Sequence, residues 1–343
     1  MEELLKLFTT NEMTSASEQI KVAPQYLTNR YFKNKEHIVG ENAEISIVRG
    51  KGIVLNSVGS DAEHIKTPNN KEYKISVSLP RYPLIDKLTS SDLNKFRVYN
   101  GNELQLEALT KKVGSILAKQ KSSIVTSIEN MAAGAIFGRV VDGNGKVLFE
   151  LENKSKSVEL SKSKSLLDNK LEIDKILCKE LGTTHNEYTI LCSPSYYQAV
   201  YDLAVAQDLF KTNQATTISS DDNASLVVHG VKYVIYQAYY ENEKGETIEF
   251  IKDGEAYVVP DNTDIFKFIY GTANHTEAFN TAPTLIFSPA PEELPNGMGY
   301  SITSESRPLL YCERPEAIVK LVIGVALSTQ ISNAGNEALS EQS

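Results

Sequence analysis

The sequence is poor in cysteine and has no excess of basic residues, and each of these features excludes certain classes of protein. Its 343 residues include three cysteines, Cys178, Cys192 and Cys312, which are too few and too scattered for a disulfide framework or a zinc site. We expect all three to be small buried hydrophobic residues in a reducing compartment. With 35 basic and 44 acidic side chains the net charge is −9, which argues against a basic nucleic-acid-binding protein.

Long apolar runs are also missing. The most apolar run, Ile318 to Leu327, has ten residues and contains Lys320, whereas a membrane-spanning helix needs about 20. Residues 1–8 begin with acidic side chains and lack the apolar stretch of a signal peptide. We therefore predict a soluble, intracellular protein that does not contact a membrane.

Motifs for catalysis or metal binding are absent as well. The five histidines lie at least 27 residues apart and outside any metal-ligand spacing: His37, His64, His185, His229 and His275. There is no G-x-S-x-G motif of a hydrolase, and the pair Gly145-Lys146 lacks the first glycine and the Ser or Thr of a phosphate loop. We therefore predict no catalytic residue, no metal site, no cofactor and no enzymatic activity.

The first half of the chain contains two strongly periodic segments. Alternating apolar residues predict a long β-hairpin over residues 45–80, with a polar tip at residues 59–64. Two-stranded ribbons are marginal alone, so this one is expected to lean on a neighbour. From Asn102 to Phe137 apolar residues recur every three or four positions, which predicts one helix about 45 Å long. The mostly polar residues 1–44 indicate an arm that lies against something else.

From residue 138 onward the patterns alternate between strand and helix. A hairpin is predicted over 138–149, and a helix over 166–181 that ends at Gly182. A second helix is predicted from Pro194 to Phe210, with Ser193 as its N-cap. Further strands are predicted at 188–192, 226–228, 232–238, 247–251, 256–259, 265–270, 300–303, 309–312 and 317–327, a solvated strand or loop at 153–165, a connection at 280–299, and a polar tail at the end.

Four short segments stand in the same order as in a known family. They are Ala23-Pro24-Gln25-Tyr26-Leu27-Thr28-Asn29-Arg30-Tyr31-Phe32, Thr67-Pro68 with the strand that follows to Leu79, Val258-Val259-Pro260-Asp261-Asn262-Thr263, and Arg307-Pro308-Leu309-Leu310-Tyr311 with Arg314-Pro315-Glu316-Ala317-Ile318-Val319. Each is weak by itself. Together with the order of elements, they resemble the major capsid proteins of tailed bacteriophages, specifically the lambda-like major capsid protein E family.

The resemblance implies an α+β chain with the tailed-phage major capsid fold. The fold consists of an N-terminal arm, an extended β-hairpin loop, a peripheral domain with a long spine helix, and an axial α/β domain. Carried over to this chain, the arm is 1–44, the extended loop 45–88, the peripheral domain 89–186 and 300–314 with the spine helix at about 102–137, the axial domain 187–299 and 315–330, and a flexible C-terminal tail 331–343.

The resemblance also implies a structural function. Copies of the chain would self-assemble into hexamers and pentamers that form the icosahedral head shell around phage double-stranded DNA. The implied partners are the chain itself, a scaffolding protein, a portal and a decoration protein, and the implied location is the virion, with the host cytoplasm during assembly. From residue 176 onward the chain has 9 basic and 22 acidic side chains, which suits a shell that encloses DNA without sequence-specific binding.

Seven residues are candidates for contacts between subunits. Some family members link a lysine of the extended loop covalently to a neighbour's asparagine, but this chain resembles the branch without that link, and we expect none. The two arginines near the closing strands are candidates for inter-subunit salt bridges, although each can instead simply flank a strand. The candidates are Tyr31, Phe32, Lys66, Lys71, Lys74, Arg307 and Arg314.

Two other classes of protein stay open at this point. An encapsulin-type compartment has the same fold and encloses cargo enzymes instead of DNA. An unrecognised enzyme with a lid-like hairpin is the second alternative, and it lacks any convergent set of histidine, cysteine or carboxylate residues.

Overall fold

The computed structural model describes residues 8–22, 25–49, 71–95, 106–142, 146–150, 157–161, 163–185, 187–220, 223–237, 239–241, 246–279 and 281–324. The described residues belong to two compact units. The first unit draws on the ranges Met1–Ile45, Ser76–Ala132 and Phe266–Tyr311, and the second on Ser46–Ile75, Ala133–Ile265 and Cys312–Ser343.

Helices and strands alternate along the chain. In the described residues the helices are α1 (Thr10–Gln19), α2 (Tyr26–Tyr31), α3 (Ser90–Lys95), α4 (Leu106–Phe137), α5 (Leu166–Leu181) and α6 (Pro194–Ala206). The strands there are β1 (Lys35–Ile38), β2 (Asn42–Arg49), β3 (Lys71–Ser78), β4 (Tyr82–Thr89), β5 (Arg139–Val141), β6 (Val147–Glu150), β7 (Ser157–Leu160), β8 (Tyr188–Cys192), β9 (Ala215–Ser220), β10 (Asn223–Val228), β11 (Val231–Ile235), β12 (Tyr239–Glu241), β13 (Thr247–Glu249), β14 (Glu255–Pro260), β15 (Phe266–Gly271), β16 (Glu292–Glu293), β17 (Gly299–Ser306), β18 (Pro308–Cys312) and β19 (Val319–Ile323).

The first unit contains two three-stranded sheets beside the long helix. Their strand orders are β16-β17-β4 and β1-β15-β18. β17 pairs antiparallel with β4 along its whole length, from Gly299 opposite Thr89 to Ser306 opposite Tyr82. One apolar cluster of this unit joins helix and strand residues: Phe8, Met13, Leu88, Leu109, Val113, Ile116, Leu117 and Ile302.

The long helix is confirmed as α4, which runs without interruption for 32 residues. The predicted apolar positions are buried along one stripe, as the 3.6-residue period requires. The buried members are Leu109, Val113, Leu117, Ile124, Ile128, Met131 and Ala135. The first four predicted helical residues, 102–105, lie outside the described residues.

The described part of the N-terminal segment forms two short helices that pack on their own chain, and its role as an arm on a neighbouring subunit stays a prediction. Thr9 and Glu12 form a capping box that starts α1, and Met13 of this helix is buried. At α2 the carboxylate of Glu129 accepts hydrogen bonds from the Leu27 and Thr28 amides, at 2.7 and 2.9 Å. A carboxylate at a helix N-terminus satisfies free amides and opposes the helix dipole. These two short helices were not predicted because the segment is mostly polar.

A chain of buried polar groups runs through the first unit. Gln120 of α4 donates from Nε2 to Asp86 Oδ2 at 2.9 Å and to the Ile302 carbonyl at 3.0 Å. Its Oε1 accepts from Ser304 Oγ at 2.6 Å, and Ser304 also contacts Ser288 Oγ at 2.8 Å. Because Gln120 is fully hydrogen-bonded, its burial among apolar residues is tolerated.

The second unit is built on one mixed sheet of seven strands. The strand order is β7-β19-β14-β8-β11-β10-β9. β8 is central and has only buried residues. It pairs parallel with β11 and antiparallel with β14. Helices α5 and α6 bury apolar residues in the same core cluster as the sheet, so this half of the chain has the α/β character that the sequence predicts.

The predicted ends of both helices in the second unit are confirmed. Ser165 forms a capping box with Asp168 at the start of α5, and Gly182 ends that helix with φ 76°, a left-handed conformation that favours glycine. Ser193 accepts from the Tyr196 amide, and Pro194 occupies the first turn of α6. Serine satisfies a free amide there, and proline has no amide to satisfy.

Other local predictions were wrong in detail. β1, β4 and β9 were not foreseen, and α6 ends at Ala206, four residues before the predicted Phe210. The lysine- and serine-rich stretch contains β7, where Val158 and Leu160 are buried and the strand is therefore not simply solvated.

The hairpin predicted over 138–149 is confirmed as β5 and β6, which pair antiparallel; its turn, 143–145, lies outside the described residues.

Three further findings concern the burial of the cysteines, the limits of the domains and membrane-spanning helices. Cys192 and Cys312 are buried as predicted, whereas Cys178 is only partly buried. The two compact units group residues 133–186 with the seven-stranded sheet and residues 266–299 with the first unit, which differs from the division implied by the resemblance. Among the described residues, no helix is both long and apolar enough to cross a membrane.

Candidate functional site

The candidate site is the ribbon formed by β2 and β3, which pair as a two-stranded sheet. Alternate residues of β2, Ala43, Ile45 and Ile47, are buried. On β3, Tyr73 and Ile75 are exposed. The period of two along β2 therefore places one of its faces against the chain, whereas consecutive residues of β3, 73–76, are all exposed. The predicted tip of this hairpin, 59–64, lies outside the described residues.

The base of the ribbon is held closely to the first unit. The Leu79 amide donates to the Glu41 carbonyl at 2.8 Å, which continues the pairing just beyond the two strands. A Cβ on Gly271 would overlap the Leu79 side chain and crowd the Gly40 carbonyl. A side chain at this position would therefore require Leu79 and the backbone near Gly40 to shift, because the ribbon base approaches β15 closely.

Charged side chains join the same base to β17 and its neighbours. Arg81 donates from Nε and Nη2 to Glu305 Oε2 at 2.9 and 2.7 Å. Arg307 donates from Nη1 and Nη2 to Glu41 Oε1, each at 3.2 Å. Its Nε lies 3.4 Å from Glu305 Oε1, an ion-pair contact without hydrogen-bond geometry. We call Glu41, Arg81, Glu305 and Arg307 the base cluster.

Glu305 is the buried centre of the base cluster. Burial alone would raise the pKa of its carboxyl group. The hydrogen bond from Arg81 acts in the opposite direction, together with the Asn274 amide and the charge of Arg307, and the pKa lies below its usual value. Glu305 is therefore a carboxylate at neutral pH, and its charge is matched by two guanidinium groups.

The aromatic candidates lie in the core of the first unit. Tyr31 and Phe32 are both buried, and their rings pack on Phe266 with centroids 5.4 and 5.3 Å away. Phe32 has no exposed surface in the chain, so a direct contact with a neighbour would require this segment to move. The inter-subunit role of these two residues stays a prediction.

The charged candidates lie in three places. Lys74 is exposed on β3, Lys71 begins that strand, and Lys66 lies outside the described residues. Arg307 belongs to the base cluster. Arg314 donates from Nη1 to the carbonyls of residues 180 and 181, at 3.0 and 3.2 Å, and so neutralises the C-terminus of α5. Both arginines therefore make contacts inside the chain, and their inter-subunit salt bridges stay predictions.

Sequence reasoning missed three members of the base cluster, Glu41, Arg81 and Glu305. They are far apart along the chain, and no motif joins them. The one available signal was a charged residue inside a strand-like pattern, since Glu305 interrupts a run that is otherwise uncharged. Buried charges are rare unless they are paired, so such a residue indicates an ion pair without naming its partner.

No set of side chains in the described ranges resembles a catalytic or metal centre. Among these residues there is no group of three or more His, Cys, Asp or Glu that could hold a metal ion. A cleft of about 460 Å³ lies in the first unit, where its walls include Lys35, Lys121 and Phe268. Lys121 donates to the carbonyls of Ser17 and Glu18, so it caps the end of α1.

One comparison with known proteins identifies a family, and another identifies structures with a similar fold. The family model described as phage major capsid protein E matches residues 9–323. The putative capsid protein of a prophage of E. coli CFT073 has 13% identity and a TM-score of 0.59, covering 92% of this chain and 99% of that chain. A phage-related protein from Bordetella bronchiseptica RB50 has 10% identity and a TM-score of 0.52, covering 92% and 97%. The search of curated proteins found no match.

Proposed function

The chain belongs to the phage major capsid protein E family, and from this premise we propose how it builds a shell. Its function is structural: it is a major capsid protein that associates with copies of itself into capsomers. We propose that hexamers and pentamers of the chain form an icosahedral head shell around phage double-stranded DNA. No step of this function requires catalysis, and we expect no enzymatic activity.

The observation that carries the proposal is the asymmetry of the ribbon. Its base is joined to β17 and the residue that follows it by the ion pairs Arg81–Glu305 and Arg307–Glu41, and it approaches β15 closely at Gly271. Its β3 strand exposes Tyr73 and Ile75. A two-stranded ribbon with exposed apolar residues gains little stability by itself, and large exposed apolar side chains are typical of interaction surfaces. We propose that the ribbon lies across an adjacent subunit.

The other proposed partners of the chain are those that a shell enclosing a genome would use. We propose a scaffolding protein and a portal during assembly in the host cytoplasm, and a decoration protein on the finished shell. The net charge of −9 disfavours tight, salt-dependent binding to phosphates. The DNA is therefore enclosed without sequence-specific contacts, and the mature location is the virion.

Expression of the chain followed by negative-stain electron microscopy tests the proposal. We expect closed shells from the full chain, and a soluble chain without shells when residues 59–72 are deleted. Deleting residues 331–343, the predicted tail, is the matched control and should leave shells intact. A full chain that stays monomeric, or normal shells after the loop deletion, would contradict the proposal.

The contents of particles from phage-producing cells separate the proposal from its main alternative. Packaged double-stranded DNA is expected. A lumen filled with a host enzyme would instead identify an encapsulin-type compartment. Denaturing electrophoresis of the same particles should show monomers, since we expect no bond between a lysine and an asparagine.

A further inference from the structure

Two helices of the second unit carry large apolar side chains in solvent. On α5, Leu167 is 44% exposed and Leu171 57%. On α6, Tyr201 is 37% exposed and Val205 50%. The members of each pair are four residues apart, so each pair lies on one face of its helix. We call these four residues the helix patch.

The start of α5 lies next to the end of α6. The Leu166 amide at the start of α5 donates to Gln207 Oε1, just beyond α6, at 3.2 Å. Leu167 and Val205 therefore flank the same junction. The other faces of the two helices already bury apolar residues in the core of the unit, so the fold does not require the helix patch.

The charged residues beside the two halves of the helix patch differ in sign. On α5 the row of Leu167 and Leu171 continues at the same spacing into Lys175 and Lys179, which are exposed. The exposed carboxylates of this helix have local partners, since Asp168 is in the capping box and Glu172 pairs with Lys164 at 3.0 Å. In contrast, α6 has a single charged residue among its 13, Asp202, and it is exposed beside Tyr201.

We propose that the α5 half of the helix patch packs on the α6 half of a second copy of this chain. The inference rests on the proposed function, because that function supplies the second copy. Packing of α5 on α5 would bring lysine rows together, whereas packing of α5 on α6 brings Lys175 near Asp202. The apolar pairs have the same spacing, so Leu167 and Leu171 match Tyr201 and Val205.

The symmetry of such a contact depends on how many of the halves pair at once. If α5 of one chain packs on α6 of the next and each chain makes the contact once on either side, the contact joins two different surfaces, is heterologous and repeats until a ring closes, as in a capsomer; if both halves pair between the same two chains, the contact is a two-fold one. The helix patch offers those two surfaces on one layer of the second unit. Apolar residues surrounded by a few complementary charges are typical of an interface in which the charges select the partner and its orientation.

A charge exchange tests the pairing of the two halves. We expect K175D and D202K each to weaken association between chains about tenfold, and the double variant K175D/D202K to restore it to within about threefold. Both residues are exposed, so thermal unfolding followed by circular dichroism should not change. K112D on α4 of the first unit is the matched control: it should leave association unchanged, and K112D/D202K should associate as weakly as D202K alone. Sedimentation velocity measures the association.

Cross-linking tests the orientation directly. In a background with C178S, we expect a disulfide-linked dimer when L171C chains are mixed with Y201C chains, and none from either variant alone. A dimer from L171C alone would show that like halves meet, and would overturn the proposal.

The outcomes of the charge exchange separate the two levels of inference. If the wild-type chain assembles and both single variants assemble equally well, or the double variant is no better than the singles, this inference is wrong and the proposed function stands. A wild-type chain that stays monomeric at every concentration would overturn both.

Discussion

Replacing Glu305 with glutamine would remove the charge at the centre of the base cluster while keeping the size of the side chain. Glu305 faces Arg81 on one side and Arg307 on the other, at 2.7 and 3.4 Å. The amide of glutamine has one acceptor oxygen, so in E305Q its NH₂ group must face a guanidinium group that has only donors. The substitution therefore leaves the buried Arg307 with Glu41, whose side chain is 69% exposed, as its remaining carboxylate in the base cluster.

The expected loss can be worked out from the burial of each contact. Arg307 and Glu305 are both buried, and breaking a buried ion pair costs about 3–5 kcal/mol. Arg81 is half-exposed, and solvent screening reduces a pair of this kind to about 0–1 kcal/mol. Glutamine retains one hydrogen bond, which offsets about 1 kcal/mol. We expect E305Q to lower the free energy of unfolding by about 2–5 kcal/mol.

Urea unfolding followed by circular dichroism measures this loss, with E41Q as the matched control. Glu41 contacts Arg307 but its side chain is 69% exposed, so E41Q should cost at most about 1 kcal/mol. Folding lowers the pKa of Glu305 below that of the unfolded chain, about 4.3. Its carboxylate therefore contributes stability above that pH, and the contribution disappears as the pH falls through the folded pKa.

The difference between wild type and E305Q should therefore be complete at pH 7 and shrink below about pH 4. Two results would refute the reasoning. One is a loss in E305Q no larger than that in E41Q, since burial would then have no effect. The other is a difference that stays constant as the pH falls through the acid range.

Two glycines and two glutamines provide further matched comparisons. G271A should lower the free energy of unfolding by about 1–3 kcal/mol because the added Cβ meets Leu79. G114A, which has open space around it in α4, should raise the free energy of unfolding by about 0.5–1 kcal/mol. Changes of the same sign in both variants would contradict the geometry. Q120L should cost about 1–3 kcal/mol because its buried partners lose their hydrogen bonds, and Q19L on the surface of α1 should change stability by less than about 0.5 kcal/mol. Equal effects of the two glutamine variants in urea unfolding would show that the buried polar chain contributes nothing.

The long helix and the caps show what local sequence can determine. The apolar stripe of α4 repeats over 32 residues, and no strand period fits it. Ser193 with Pro194 and Gly182 are conformational signals that act within a few residues of themselves. Because each depends on neighbours along the chain, each was predicted at the residue where the structure has it.

The short helices and unforeseen strands show where local signals end. β4 has four exposed residues and one buried residue, and it forms because β17 pairs with its full length. α2 is weak in sequence, and Glu129 stabilises its start from more than 100 residues away, so no window of sequence contains the reason for β4 or α2. In contrast, α1 has a local signal, the capping box of Thr9 and Glu12, which was overlooked in the sequence.

The sequence by itself determined the family, the long helix, the α/β character of the second unit and the hairpin at residues 139–150. Order and periodicity are properties of the chain and do not depend on contacts. Only the tertiary structure decided that Phe32 is buried, that Glu305 holds two arginines, and that Leu171 and Tyr201 face solvent. Burial and ion pairing depend on which distant segments meet, and that is set by packing in three dimensions.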